Sequence, residues 1–335
     1  MRRFLIKNWF LIGIAVALVL GLSVPKVGVT LNTGSHFSTA LIVVLFLISG
    51  LKLPSESIKT GIRSYKLHIF IQAYIFLIVP AYFFATARFF ANTIDGDLVI
   101  GFYALACLPT TISSCIVFTQ SGEGNVVGAM FNAAFANVIG VLLSPIILSI
   151  LLRSVGGELP FSELISILQG LILKMLLPII IGQIARRWIR SWVYRNKNRL
   201  SVASNVAILC ILFFAFSKTA ANPDFISQAP ELVVPFLFLS CSHLLLLGGA
   251  FAGARLLGFQ RADTVTTVFT APQKTLGMGV PLLTTFFGAD AAILGVALLP
   301  LVFYHAWQLL VAGIVLRIAD SRTAGSPQKL ERSSR

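Results

Sequence analysis

The sequence predicts an all-α polytopic membrane protein: ten transmembrane helices in two inverted five-helix repeats, with the fourth and ninth helices broken. Three observations lead there. Of 335 residues, 57% are apolar and 11% charged, under half of the roughly 25% charged residues of a soluble domain, so lipid is the solvent for most of the surface. Ten apolar stretches approach the roughly 20 residues that cross a bilayer. Prolines of the first half recur in the second, at offsets of 155, 163 and 155 residues for Pro80 and Pro235, Pro109 and Pro272, and Pro145 and Pro300.

The stretches run, in order, over residues 9–24, 37–53, 67–87, 98–119, 126–152, 164–185, 200–217, 232–254, 264–286 and 291–316. The first follows a basic start, MRRFLIKNW, and ends in small residues near Ser23, as a secretory signal does. Nine further stretches behind it favour a retained first helix. With the N-terminus in the cytoplasm, 20 of the 26 Lys and Arg lie on the cytoplasmic side, 4 lie opposite (Lys26, Arg88, Arg153, Lys218), and 2, Lys174 and Lys274, fall within spans. That asymmetry is the positive-inside pattern of a multi-pass protein of the cell membrane with both termini cytoplasmic. The net charge of +14 then reflects topology and contact with anionic membrane lipid, and nucleic acid is not needed to explain it. The tail from Asp320 lacks apolar content and is expected to be a disordered cytoplasmic end, 320–335.

An odd number of spans per half forces the second copy to enter the membrane upside down, so 1–156 reads as the first repeat and 157–319 as its inverted counterpart. The fourth and ninth spans are the informative pair, because each sets its proline among small polar residues: CLPTTISSC at 107–115 and TAPQKT at 270–275. Proline lacks an N–H and crowds the turn before it, so Pro109 is expected to free the carbonyl of Leu105 and Pro272 that of Val268. Unwound backbone survives in a membrane only where protein buries it or it lines a cavity. Paired interruptions in inverted halves point to a transporter's midplane site. Lys274 sharpens the point, since a charge at that depth costs from about 2.5 to 10 kcal/mol or more. The candidates for the coupling or ion site are Lys274, Thr270, Gln273, Thr275, Ser114 and Cys115. Those for the substrate are Thr110, Thr111, Ser113, Asn132 and Asn137.

Blander readings compete. A proline in a membrane helix is often a plain kink, and a hydroxyl there often bonds its own backbone; two matched patches, one with a lysine, outweigh this. Asn132 and Asn137 are costly amides that either brace the broken fourth helix or bind ligand. Gln72, His68 and Tyr74, near the start of the third span, read as interfacial. His305 and Gln308, on one face of the tenth, read as a helix-packing hydrogen bond. Lys174, four residues before Pro178, snorkels or pairs. The four cysteines (Cys107, Cys115, Cys210, Cys241) lie within apolar spans, so no exposed disulfide framework is expected. The four histidines show no ligand spacing, so neither a metal nor another cofactor is expected. No span offers paired carboxylates or a His-based triad, which argues against an enzyme. Oligomeric state leaves no mark in the sequence.

On the motifs KLHIFIQ (66–72), CLPTTISS (107–114), GNVVGAMFNAAF (124–135), LLPIIIGQIARRWI (176–189), ADTVTTVF (262–269) and QKTLGMGVP (273–281), the chain resembles the bile acid:sodium symporter family, in its branch-seven-like subgroup, over nearly its whole length. The resemblance implies ten helices in two inverted repeats, divided into a panel and a core, with helices four and nine broken and crossing. It implies import of organic anions with sodium. The family's helix-four ligands, a serine and an asparagine, fall on Ser114 and Cys115. Its helix-nine glutamate and glutamine fall on Thr270 and Lys274, and two helix-five hydroxyls fall on Ala129 and Ala133. Most of the sodium ligands are therefore absent.

Two unit positive charges about 4 Å apart repel by roughly 4 kcal/mol at an effective dielectric near 20, about a thousandfold in affinity, so sodium would bind poorly beside a protonated Lys274. The ammonium either substitutes permanently for the cation, or releases its proton in each cycle, or helps hold an anionic substrate. The reading favoured is a secondary carrier for a small organic or anionic solute, coupled to protons more readily than to sodium. The alternatives are a non-transporting regulatory or scaffold protein and a proton-linked cation exchanger.

Overall fold

A computed structural model describes residues 9–53, 64–87, 96–153, 161–220, 232–287 and 291–324. Among them every regular element is helical. Seven helical segments are long and apolar enough to cross a membrane, and an eighth arises if Trp9–Ser23 (α1) and Pro25–Leu31 (α2), bent by 97°, form one span. The chain is a multi-pass membrane protein. Pro25 opens α2 in its first turn, where a missing N–H leaves no bond unmade. His36–Lys52 (α3) follows.

The third segment is Tyr65–Ala73 (α4), a π-helical turn at Tyr74–Ile78, and Val79–Ala87 (α5). Its proline explains the turn. The N–H of Val79 reaches five residues back to the carbonyl of Tyr74, and the next residue, Pro80, has no N–H to offer the carbonyl of Ile75 in the same register. The device recurs where Phe161–Leu171 (α9) passes through a π turn at Ile172–Leu176 into Leu177–Arg195 (α10), just before Pro178. Lys174 lies in that turn, half-buried.

Between these segments lie Gly96–Cys107 (α6), Ser113–Ser121 (α7) and Val126–Arg153 (α8); after them come Lys197–Thr219 (α11), Val233–Leu256 (α12), Arg261–Thr270 (α13), Leu276–Phe287 (α14) and Ala291–Ala324 (α15). The last helix runs to Ala324, and the remainder of the expected tail, 325–335, lies outside the described residues. One packing group joins α1 and α3 to α10 and α11; another sets α6 against α5, α8 and α15, and α12 against α13 and α15.

Contact between α3 and α10 is close enough to demand glycine. A Cβ at Gly50 would sit 2.2 Å from the carbonyl oxygen of Ile179, and one at Gly182 would sit 2.4 Å from that of Leu47. Backbone approach of this kind is how small residues join membrane helices. Gly182→Val is expected to force the pair apart at a cost of about 1–3 kcal/mol, read as a lower unfolding temperature in detergent; an unchanged temperature would disprove the close approach.

His68 and Tyr74 are buried between helices and Gln72 is half-buried there, contrary to the interfacial role expected for them. Gln72 Nε2 donates to Asn132 Oδ1 at 3.0 Å and to its carbonyl at 3.2 Å, while Asn132 Nδ2 donates to His68 Nδ1 and to the carbonyl of Gly128, both at 2.9 Å. The Tyr74 hydroxyl donates to the carbonyl of Leu246 on α12. The physical reason is that α4 packs on α8 and α13, so its polar face meets protein and must find partners there.

Candidate functional site

The break between α6 and α7 is a problem in backbone accounting. A helix that stops at Cys107 leaves its last carbonyls without the N–H groups of a following turn, and each buried carbonyl left unpaired costs about 1–3 kcal/mol. Five consecutive carbonyls find partners, each from elsewhere in the fold or from α8. Ala106 and Leu108 accept from Lys274 Nζ at 2.9 and 2.8 Å. Cys107 accepts from Ser144 Oγ at 2.8 Å, Pro109 from the N–H of Thr275 at 3.1 Å, and Thr110 from Asn137 Nδ2 at 2.9 Å. Leu105, whose carbonyl was expected to be freed by Pro109, instead accepts from the N–H of Leu108 at 3.2 Å. The chain turns sharply ahead of the proline, so the orphaned groups lie one to five residues further on.

The break between α13 and α14 is gripped from α15. Gln308 holds both backbone groups of Lys274: its Oε1 accepts the N–H at 2.8 Å and its Nε2 donates to the carbonyl at 2.7 Å. Gln308 Nε2 also lies 3.1 Å from His305 Nδ1, which itself lies 3.4 Å from the carbonyl of Lys274. Tyr304 donates its hydroxyl to the carbonyl of Pro272 at 2.9 Å. Its oxygen therefore accepts from His243 Nδ1, 3.0 Å away on α12. Thr275 closes the break as the cap of α14, its Oγ1 accepting the N–H of Gly277 at 3.1 Å. Gln273 reaches across to the first break, where its Oε1 accepts from Thr111 Oγ1 at 2.6 Å and Ser114 Oγ at 3.1 Å.

The two breaks thus touch backbone to backbone and side chain to side chain, with Lys274 between them. An ammonium has three donors, and all three are used: the third reaches the carbonyl of Ile75 at 3.3 Å, the one Pro80 leaves unpaired in the π turn. Lys274 is 2% exposed, and among the described residues no carboxylate forms an ion pair with it. Its charge is balanced by carbonyl dipoles from two separate segments.

Beside the joined breaks lies a cavity of about 320 Å³. Thr111, Ser113, Ser114, Asn137, Thr275 and His305 line it, together with Ser49 and Lys52 of α3 and Ser201, Ser204 and Asn205 of α11. Phe10, Phe46, Ile208 and Leu309 add apolar surface. Of the residues singled out in the sequence, Thr111, Ser113, Ser114, Asn137 and Thr275 face this space. Lys274, Gln273, Thr270, Thr110 and Cys115 are buried behind it, and Asn132 is spent on α4. Cys115 gives its thiol to the carbonyl of Ile112 at 3.3 Å, and the hydroxyl of Thr270 is buried without a partner. Sequence reasoning did not assign Gln308, Tyr304, His243 or Ser144 to the site. The available signal was the spacing of His305 and Gln308, which put an amide on the face of α15 that meets the second break.

The chain matches the SBF-like CPA transporter family over residues 8–320. It is 31% identical over 316 residues to sodium/bile acid cotransporter 7 of Rattus norvegicus, with 92% of each chain covered. It is 32% identical over 336 aligned positions to the uncharacterized protein PA2026 of Pseudomonas aeruginosa, covering 99% of each. With the putative symporter YfeH of Escherichia coli it shares 29% identity over 319 residues, 95% of this chain and 94% of that one.

Proposed function

The chain belongs to the SBF-like CPA transporter family, and from that premise we propose that it is a secondary active carrier of a small organic or anionic solute, bound beside the joined breaks and coupled to protons in place of sodium. It is a membrane transporter of the bile acid:sodium symporter type and not an enzyme. In this reading the chain forms ten spans in two inverted repeats, 1–156 and 157–319, lies in the cell membrane and keeps both termini in the cytoplasm. The matched breaks at Pro109 and Pro272 support the inversion.

The observation that carries the proposal is the ammonium of Lys274 held by three carbonyls where two interrupted helices meet. Unwound carbonyls are what a transporter offers its coupling cation, and here a tethered cation already occupies them. The surroundings do not fit sodium: Thr270, Cys115, Ala129 and Ala133 supply no carboxylate or amide, and both alanines are fully buried with no side-chain oxygen to give. A free ion would also meet the repulsion of the fixed charge. The brace role is favoured in the conformation seen, because no ammonium hydrogen is left over for a solute. Coupling to protons adds a second conformation, in which the ammonium leaves these carbonyls and gives up its proton, the one way a tethered cation is discharged.

Purified protein in proteoliposomes tests this directly. A pH gradient with choline in place of sodium is expected to drive uptake from a metabolite mixture, and a sodium gradient at equal pH is expected to drive none. Uptake that follows the sodium gradient would end the proton reading. No flux under any gradient would favour a regulatory protein that keeps the fold.

A further inference from the structure

We propose that Lys52 reads the charge of the solute: it receives the anionic group of a carboxylate or sulfonate monoanion on a compact, largely apolar body, on the part of the cavity lining that α3 contributes. This rests on the carrier reading above and adds to it which residue selects for charge, and from which helix.

Lys52 is the one charged side chain among the described residues that line the cavity. The ordinary explanation of a lysine in the last turn of a helix is that it caps the final carbonyls or complements the helix dipole. At the end of α3 that work is already done by α10. Gln183 Nε2 donates to the carbonyls of Gly50 and Leu53 at 2.7 and 2.8 Å, and Arg186 donates to that of Leu51 at 2.9 Å. The N–H of Leu53 takes the carbonyl of Ser49 at 3.1 Å. The carbonyls of Ser49, Gly50, Leu51 and Leu53 are thus engaged, and among the described residues no carboxylate pairs with the Lys52 ammonium.

The backbone that carries Lys52 is also fixed, by these three side-chain bonds and by the close approach of Gly50 and Gly182. A positive charge on a rigid mount, half-buried beside a cavity, binds an anion without first having to be ordered. The same cavity offers Thr111, Ser113, Ser114 and Asn137, neutral groups that suit a hydroxyl or carbonyl on the body of the solute. One lysine neutralises one charge, and a second anionic group would enter desolvated and unpaired. Size points the same way: about 320 Å³ equals the share of roughly ten liquid waters, near the lower limit for ligand pockets.

The test is thermal stabilisation of the purified full chain by matched pairs that differ in charge alone: 4-phenylbutyrate and 4-phenylbutyramide, cyclohexanecarboxylate and its amide, benzenesulfonate and benzenesulfonamide. For at least one pair the acid is expected to bind the wild type roughly tenfold more tightly than the amide, the factor a single charge-assisted hydrogen bond gives. Lys52→Gln is expected to erase that preference and Lys52→Arg to keep most of it. Without ligand, Lys52→Gln should melt with the wild type, because among the described residues Lys52 caps nothing. A markedly lower melting temperature for that variant would show a structural lysine and overturn the proposal. Equal binding of acids and amides by the wild type, or of neither, would overturn it too. Those outcomes leave the carrier reading standing, because gradient-driven flux decides that separately.

Discussion

Lys274→Met is expected to reduce transport to the level of protein-free vesicles and to lower the unfolding temperature more than any other single change in the chain. Burying a charge is costly, and methionine is the apolar residue nearest in shape, so a gain in stability is the natural first guess. The bonding pattern argues the other way. Replacing one partner alone leaves the carbonyls of Ile75, Ala106 and Leu108 buried and unpaired, at about 1–3 kcal/mol each. That is a large fraction of the roughly 5–15 kcal/mol that separates a folded domain from its unfolded state. Lys274→Gln separates loss of the bonds from loss of the charge. It removes the charge, retains two N–H donors and restores the side chain that the resemblance to the bile acid:sodium symporter family places there. If the ammonium stands where a cation would, this variant should gain a rise in melting temperature with sodium over choline that the wild type lacks. Sodium at 100 times its dissociation constant would supply about 2.7 kcal/mol. A wild type stabilised by sodium, or a variant indifferent to it, would refute the idea of a built-in cation.

What the sequence reveals of this site is what a single segment can carry. Pro109 and Pro272 each sit in a run of small polar residues, and proline chemistry is local, so both interruptions could be placed before any fold was known. Lys274 announced itself by its depth in an apolar stretch. The assignment of freed carbonyls failed at Leu105 because proline dictates only that the helix stops; how the chain turns depends on what waits to bond it. Here those partners come from α8, from the second break and from Lys274 itself. Ser144 and Asn137 look like any polar residue tolerated in a membrane helix until α8 is laid beside α6. Ile75 is the sharper case. Nothing in YIFLIVP marks its carbonyl as a ligand; the π turn ahead of Pro80 exposes it, and only the tertiary fold delivers an ammonium there. The polar start of the third segment misled for the same reason, since His68, Gln72 and Asn132 satisfy one another only once α4 lies on α8.

Gln308→Leu is the second large effect, and it isolates support from binding. Gln308 is fully buried and clasps the N–H and the carbonyl of Lys274 together, so one amide fixes the backbone from which the ammonium projects. Leucine fills similar space and offers neither bond, which leaves the N–H of Lys274 unpaired and its carbonyl with only the 3.4 Å contact to His305 Nδ1, at about 1–3 kcal/mol for a buried group left unsatisfied. The melting temperature should fall by an amount second only to Lys274→Met. Gln308 does not line the cavity, however. Solute that reaches the altered protein should meet the same wall, so flux at saturation is expected to drop while the concentration for half-maximal uptake stays within about twofold, the signature of lost positioning with ground-state binding unchanged. His305→Ala provides the contrast. His305 does face the cavity and packs edge-on against Phe10 at 5.8 Å, so its removal should raise the half-maximal concentration. Should Gln308→Leu raise that concentration as much as His305→Ala does, the amide would belong to the binding wall, and the separation between a buried brace and an open cavity would fail.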